Sequence, residues 1–193
     1  MSNEIKYKQI LGIIMSVRGK REIKSRNIDE PPLLNNIKSI IDLANQNGFI
    51  VGGIVDIKSI VQREGINVLE EEMPSSVSGY LKCIDGKWLI GVNKLHNIRR
   101  KRFTIAHEYA HYILHKDQSR YFEDITFFRK DTNSTIEYKA NEFAAELLMP
   151  ENIVRAAIEN GINGLDDLAE YFNVSILAVT FRVKELGYTI KSE

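Results

Sequence analysis

Two histidines four positions apart are the residues of this chain whose types and spacing best fit a chemical role. They lie in the run His107-Glu108-Tyr109-Ala110-His111. On a helix, residues i and i+4 share one face about 5–6 Å apart, which allows two imidazole nitrogens to bind one zinc ion. Glu108 lies about 100° round the helix from His107, beside such an ion, where a base that acts on water belongs. The run therefore predicts a hydrolytic zinc site.

The alternative is a surface helix that carries two unrelated histidines. The surrounding residues disfavour it, because apolar side chains occupy nearly every face of this helix. These side chains are Phe103, Ala106, Ala110, Ile113 and Leu114. A histidine pair on such a buried helix needs a polar partner.

A hydrolytic zinc centre also needs a third protein ligand and keeps one coordination position for water. The helix predicted over residues 135–148 offers three candidates: Glu137, Glu142 and Glu146. At 100° per residue, the face of Glu137 is shared by residues that are mostly small or apolar, namely Ala140, Asn141, Ala144 and Leu148. Glu142 and Glu146 lie about 140° and 180° away from Glu137. Glu137 is therefore the expected third ligand.

Two further polar residues are expected near the metal. Asn141 lies one helical turn beyond Glu137 and is placed to orient a ligand histidine by a hydrogen bond. His115 lies about 40° beyond His111 on the side of Glu108, and we expect it to have a structural or ligand-orienting role. A separate interpretation is that Glu137 helps to cap its helix near Thr135, which does not exclude metal binding.

The residue pattern predicts an α+β fold in which a small antiparallel or mixed sheet leads into helices. Apolar spacing predicts helices over residues 33–45, 56–63, 98–115 and 135–148, and two or three short helices over 152–188. A strand is predicted over residues 66–69. A hairpin is predicted over residues 77–92, because Asp85-Gly86 is typical of a tight primed turn. The stretch 116–134 has no clear pattern.

Composition limits the class of protein. Lys and Arg together number 26, as do Asp and Glu, so the formal charge is zero and a globally basic nucleic-acid binder is excluded. The longest apolar runs fall far short of the roughly 18 residues of a membrane span.

The single cysteine, Cys83, forms no internal disulfide, which favours a cytoplasmic protein. We expect Cys83 to be a small strand residue; the alternative is a soft, inhibitory ligand of the zinc ion.

The first 32 residues predict an N-terminal basic extension, which carries the cationic stretch 18–26. Pro31-Pro32 separates it from a domain predicted over residues 33–193. The sequence assigns no role to this extension.

A second cationic run, over residues 99–102, opens the histidine helix and reads RRKR. Cations oppose the dipole at a helix N-terminus, so we expect these side chains to be solvated or to pair with acids such as Glu70 to Glu72. The alternative is that they steer an acidic segment or a nucleic acid towards the protein.

Two segments make the sequence resemble a known family. Residues 102–115 read RFTIAHEYAHYILH, and residues 137–150 read EYKANEFAAELLMP. Both are similar to the ImmA/IrrE family of zinc metallopeptidases, over about residues 49–190. The resemblance implies a zincin-like fold in which His107, His111 and Glu137 bind zinc and Glu108 is the catalytic residue. It also implies a bacterial intracellular protease, often encoded by a mobile element or prophage, that cleaves a helix-turn-helix repressor and so releases transcription.

We therefore predict a cytoplasmic zinc endopeptidase of narrow specificity that acts on a helix-turn-helix repressor or an antitoxin-like regulator encoded nearby. The edge of the predicted hairpin, over residues 78–83 or 88–92, is the candidate surface for an extended peptide. The alternative is that the hairpin strands are internal and have no free edge.

Residues 165–186 have the pattern of a helix-turn-helix, which keeps a non-enzymatic DNA-binding protein open as an alternative. The predicted reading helix offers only Arg182 and Lys184 as cations. Acidic residues lie nearby: Asp166, Asp167, Glu170 and Glu185. A surface that faces phosphates needs the opposite charge, so packing or substrate docking is the favoured role. A third interpretation is a non-catalytic sensor on the same fold, against which the intact ligand set and Glu108 count.

Overall fold

A computed structural model describes residues 36–117, 119–124 and 135–190 of the chain. The N-terminal extension predicted over residues 1–32 lies outside the described residues. The described helices are α1 (Ile37–Gln46), α2 (Ile57–Arg63), α3 (Ile98–His115), α4 (Thr135–Leu148), α5 (Glu151–Glu159), α6 (Leu165–Tyr171) and α7 (Ile176–Glu185). The described strands are β1 (Ile50–Val51), β2 (Ile54–Val55), β3 (Asn67–Glu71), β4 (Gly79–Ile84), β5 (Lys87–Asn93) and β6 (Tyr121–Asp124). This mixture confirms the α+β class.

The larger sheet contains four strands in the order β3-β5-β4-β6. Strand β5 runs parallel to β3 and antiparallel to β4, and β6 runs antiparallel to β4. Asp85 and Gly86 join β4 to β5 with φ angles of 49° and 79°, the left-handed values that a two-residue primed turn requires. The hairpin predicted from the sequence is therefore confirmed.

Strand β6 lies in the stretch for which the sequence shows no clear pattern. It is four residues long, too short to show a clear alternation, and it pairs with β4 so that Phe122 lies opposite Leu81. Because β3 and β6 flank the hairpin, β4 and β5 are both internal strands. The prediction of a free hairpin edge over residues 78–83 or 88–92 is therefore wrong. On the side of β4, the edge strand of the sheet is β6.

Helix α3 packs on the sheet and also against α4. Gly79 allows β4 to come close to α3: a Cβ at this residue would lie 2.4 Å from Thr104 Cγ2 and 2.6 Å from the Gly91 carbonyl oxygen. Alanines on the two helices are fully buried: Ala106, Ala110, Ala140 and Ala144. Side chains this small permit a short distance between helix axes. The histidine helix therefore lies between the sheet and the glutamate helix.

The cationic run at the start of α3 is used largely for internal contacts. Arg100 donates a hydrogen bond of 2.9 Å to the Ser78 hydroxyl, and Lys101 pairs with Glu70 at 2.8 Å. Arg102 donates a hydrogen bond of 3.2 Å to the carbonyl oxygen of Asn173. These contacts attach α3 to β3, to the start of β4 and to the turn between α6 and α7. Of the two outcomes expected for this run, solvation or pairing with acids near Glu70, the structure shows pairing for Lys101.

The C-terminal helices contain the pair that has the helix-turn-helix pattern. Asn173 lies in the turn between α6 and α7 with a φ angle of 51°, a value that asparagine tolerates better than most residues.

None of the described helices is long and apolar enough to cross a membrane.

Candidate metal centre

Three side chains from two neighbouring helices meet at one point. His107 and His111 come from the middle of α3, and Glu137 comes from the first turn of α4. The Nε2 atoms of the two histidines lie 3.0 Å apart. The Glu137 carboxylate oxygens lie 3.2 Å from His107 Nε2 and 3.5 Å from His111 Nε2. In the described part of the chain, no other group of three or more His, Cys, Asp and Glu side chains has the spacing of a metal site.

The spacing of these donor atoms fits a divalent metal ion. Ligand atoms about 2.0–2.1 Å from a tetrahedral zinc ion lie about 3.3 Å from one another. The two Nε2 atoms lie 3.0 Å apart, and they lie 3.2 Å and 3.5 Å from different oxygens of the Glu137 carboxylate, which are distances close to that value. Two imidazoles and one carboxylate are also a donor set of catalytic zinc sites, in which the fourth position belongs to water or substrate. The residues present therefore fit a bound metal.

Asn141 orients the ring of His107. The amide oxygen of Asn141 lies 3.0 Å from His107 Nδ1, and both side chains are buried. That oxygen only accepts hydrogen bonds, so Nδ1 is the donor of this contact. Nε2 then lies on the side of His111 and Glu137, the direction that metal coordination requires.

Burial and contacts within the group shift the pKa values of the other two donors. Burial lowers the pKa of His111, which favours the neutral ring. Burial alone would raise the pKa of Glu137, but hydrogen bonds and charge interactions with His107 and His111 outweigh it and lower this pKa far below its usual range. Glu137 is therefore ionised at neutral pH, although 31% of its side chain is exposed.

Glu108 follows His107 directly on α3 and is not part of the donor group. It is fully buried, on the part of α3 that faces β4. Its Oε1 atom lies 3.7 Å from the point that a Cβ would occupy at Gly79, so this carboxylate lies next to β4.

His115 extends the line of histidines on α3 without joining the donor set. Its ring centroid lies 5.6 Å from that of His111, and burial lowers its pKa. A hydrogen bond with the backbone of Ile136 connects it to the start of α4, next to Glu137. Cys83, the other candidate ligand, lies partly exposed on β4 and is not in the donor group.

Phe122 belongs to the centre, although no sequence pattern singles it out. Its ring stacks on the ring of His111, with centroids 4.7 Å apart and planes inclined by 12°. Phe122 belongs to β6, whose position depends on pairing with β4. No local pattern connects residue 122 with residue 111, so only tertiary structure reveals the contact.

Comparison with known proteins places this centre in a known domain. Residues 61–184 match a peptidase family described as the IrrE N-terminal-like domain. The chain belongs to this family. The matched residues include all three donors, Glu108 and Asn141, and the resemblance to ImmA/IrrE metallopeptidases drawn from the sequence is confirmed.

Two relatives and one solved structure illustrate the relationship. Metallopeptidase ImmA of Bacillus subtilis (strain 168) is 29% identical over 140 residues, which cover 70% of this chain and 79% of that protein. Uncharacterized immunity region protein 2 of Bacillus phage phi105 is 30% identical over 105 residues, covering 54% of this chain and 64% of that protein. A Mycobacterium tuberculosis transcriptional regulator superposes with a TM-score of 0.55 at 19% identity, which shows a shared fold alone. The aligned region covers 76% of this chain and 45% of that regulator.

Proposed function

We propose that the chain is a zinc-dependent endopeptidase that hydrolyses a peptide bond in a specific protein substrate. The observation that carries the proposal is the meeting of His107, His111 and Glu137 in one group whose ligand atoms lie within 4.8 Å of one another, with the buried Glu108 next to His107 along the same helix. The IrrE-like family is a peptidase family, and one relative is a metallopeptidase by name, which supports the reaction class.

The chemistry divides between the metal and the protein. Zinc held by this donor set supplies a Lewis acid that lowers the pKa of water towards 7 and polarises a carbonyl group. Glu108 accepts a proton from the attacking water and delivers it to the departing amine. Burial of Glu108 keeps its carboxylate at one location through both transfers. Asn141 keeps the His107 ring in the orientation that metal coordination requires.

The outer edge of β6 is the proposed surface for the substrate peptide. Within the described residues, β6 pairs only with β4. The other edge of β6 is therefore available for main-chain hydrogen bonds with an extended peptide. The stacking of Phe122 on His111 keeps this strand next to the metal centre. A peptide added here would run beside the three donors and Glu108.

The proposed substrate is a helix-turn-helix repressor or an antitoxin-like regulator encoded near this chain, and the proposed compartment is the cytoplasm. The similarity to an immunity region protein of a phage supports a prophage or mobile-element context. Cleavage of such a repressor would release transcription, which would make the enzyme a regulator.

A DNA-binding role for α7 finds little support. Arg182, one of its two candidate phosphate contacts, is only 2% exposed. It donates a hydrogen bond of 3.1 Å to the Met149 carbonyl oxygen and pairs with Glu185 at 2.9 Å. The exposed start of α7 carries Ile176 and Leu177, which are apolar. Phosphate contacts need cations at such a surface.

The deciding experiment incubates the full chain, loaded with zinc, with the product of the adjacent helix-turn-helix gene. We expect cleavage by the native protein, and none after chelation or with Glu108→Gln, a change that removes the proton acceptor and preserves zinc stoichiometry. Mass spectrometry of the fragments gives the scissile bond. Undiminished cleavage by Glu108→Gln would refute the role of Glu108. A regulator that stays intact under every condition would refute the proposed substrate.

A further inference from the structure

The two ligand histidines are held in different ways. His107 has the usual arrangement for a metal-binding histidine, because its second ring nitrogen donates to Asn141. The second ring nitrogen of His111, Nδ1, is buried and has no hydrogen-bond partner in the described part of the chain. A different contact must therefore set the plane of the His111 ring.

Within the part of the chain that the structure describes, three rings contact the His111 imidazole, and one of them is nearly parallel to it. His107 meets it edge-on, with an angle of 81° between planes, and His115 is inclined by 49°. Phe122 stacks on it at 12°, with centroids 4.7 Å apart, within the range of favourable aromatic contacts. Because Nε2 lies in the plane of the imidazole, the face of Phe122 determines whether Nε2 is directed at the other donors.

The position of Phe122 is set by contacts of its strand with β4. Its backbone lies opposite Leu81, which is fully buried on β4. The neighbouring residue Tyr121 stacks on Tyr80 with ring centroids 6.4 Å apart. Just before the strand, the carbonyl oxygen of Arg120 accepts a hydrogen bond of 2.9 Å from the Cys83 amide. None of these contacts involves the three donors.

We propose that Phe122 is a positioning residue that holds the His111 imidazole in the plane needed for metal coordination. Its stacking replaces the hydrogen bond that orients the other ligand histidine. The proposal rests on the proposed function only in requiring that the donor set binds zinc. It assigns Phe122 no proton transfer and no contact with the scissile bond.

The test compares three variants of the full-length chain. Phe122→Leu removes the ring and keeps most of the volume, and Phe122→Tyr keeps the ring. Phe143→Leu is the control for loss of a phenyl ring, because Phe143 is buried and contacts Tyr109 edge-on in the core, whereas Phe122 is partly buried. Zinc affinity is measured by competition with a chromophoric chelator, and the geometry of the site by the visible absorption of the cobalt-substituted protein.

We expect Phe122→Leu to bind zinc about five- to tenfold more weakly, which corresponds to the loss of one aromatic pair. Phe122→Tyr and Phe143→Leu should stay within about twofold of the native chain. The cobalt bands should change in Phe122→Leu alone. In the metal-free protein, proton NMR should show the His111 ring protons shifted by the ring current of Phe122, and this shift should disappear in the leucine variant.

Unchanged zinc affinity and cobalt bands in Phe122→Leu would overturn the proposal. Equal losses in Phe122→Leu and Phe143→Leu would also overturn it, because they would show a general effect of core truncation. Zinc binding without peptide hydrolysis would refute the proposed function and leave the positioning role standing. A native chain that binds no zinc would refute both.

Discussion

Replacement of Asn141 tests whether one buried hydrogen bond controls metal affinity. Asn141→Leu keeps the volume of the side chain but removes the oxygen that accepts from His107 Nδ1 at 3.0 Å. His107 is 1% exposed, so water does not readily replace the lost acceptor. A buried donor without a partner costs about 1–3 kcal/mol. At about 1.4 kcal/mol for each factor of ten, zinc should bind about 5- to 150-fold more weakly.

The loss should appear mainly in metal binding. In the metal-free protein, His107 can rotate to reduce the cost of the missing partner, whereas coordination fixes the ring. Asn141→Asp keeps an acceptor oxygen in place and should stay close to the native affinity. Asn160→Leu is the matched control, because Asn160 is exposed at the end of α5.

The assay is competition for zinc with a chromophoric chelator at fixed pH, together with denaturant unfolding of each metal-free variant. Zinc affinity of Asn141→Leu within about twofold of the native value would refute the reasoning, since even the lower limit of the penalty predicts about fivefold. A weakened Asn141→Asp would show that the neutral amide, and not its oxygen, is what His107 requires.

Two further substitutions test the third ligand and the approach of sheet to helix. Glu137→Gln removes the anionic ligand and should weaken zinc binding by more than about 100-fold, measured with the same chelator; a loss below tenfold would remove Glu137 from the ligand set. Gly79→Ala places a Cβ 2.4 Å from Thr104 Cγ2 and 2.6 Å from the Gly91 carbonyl oxygen. It should lower the free energy of unfolding by about 2 kcal/mol, measured in denaturant. Thr104→Ser in the same chain should restore part of this loss, and no loss at all would contradict the close contact.

Much of the centre follows from local helix geometry. The run from His107 to His111 fixes two nitrogens and the neighbouring Glu108 on one helix, and the predicted bounds of α3 and α4 agree with the structure. The small and apolar residues around Glu137 mark the inner face of α4, which is why the sequence alone predicts Glu137 and Asn141 as residues of the centre. These inferences need only the 3.6-residue period.

Contacts between distant segments were harder to infer. The cations of residues 99–102 could be solvated or paired, and the structure uses three of them to attach α3 to other elements. Arg182 looks like a candidate phosphate contact in the sequence, yet it is buried against Met149. Pairing of this kind depends on which surfaces meet, and residue type alone does not determine that.

The sequence by itself determined the donor types, the helices that carry them and the inner face of each helix. The reason is that the α-helical period of 3.6 residues relates side chains only a few positions apart in the chain. Only the tertiary structure decided that the hairpin strands are internal, that β6 forms the border of the sheet and that Phe122 stacks on His111. Strand order is set by hydrogen bonds between residues about 40 positions apart, such as Leu81 and Phe122. Such pairing leaves no periodic signal in the chain, since each strand alone is compatible with several neighbours.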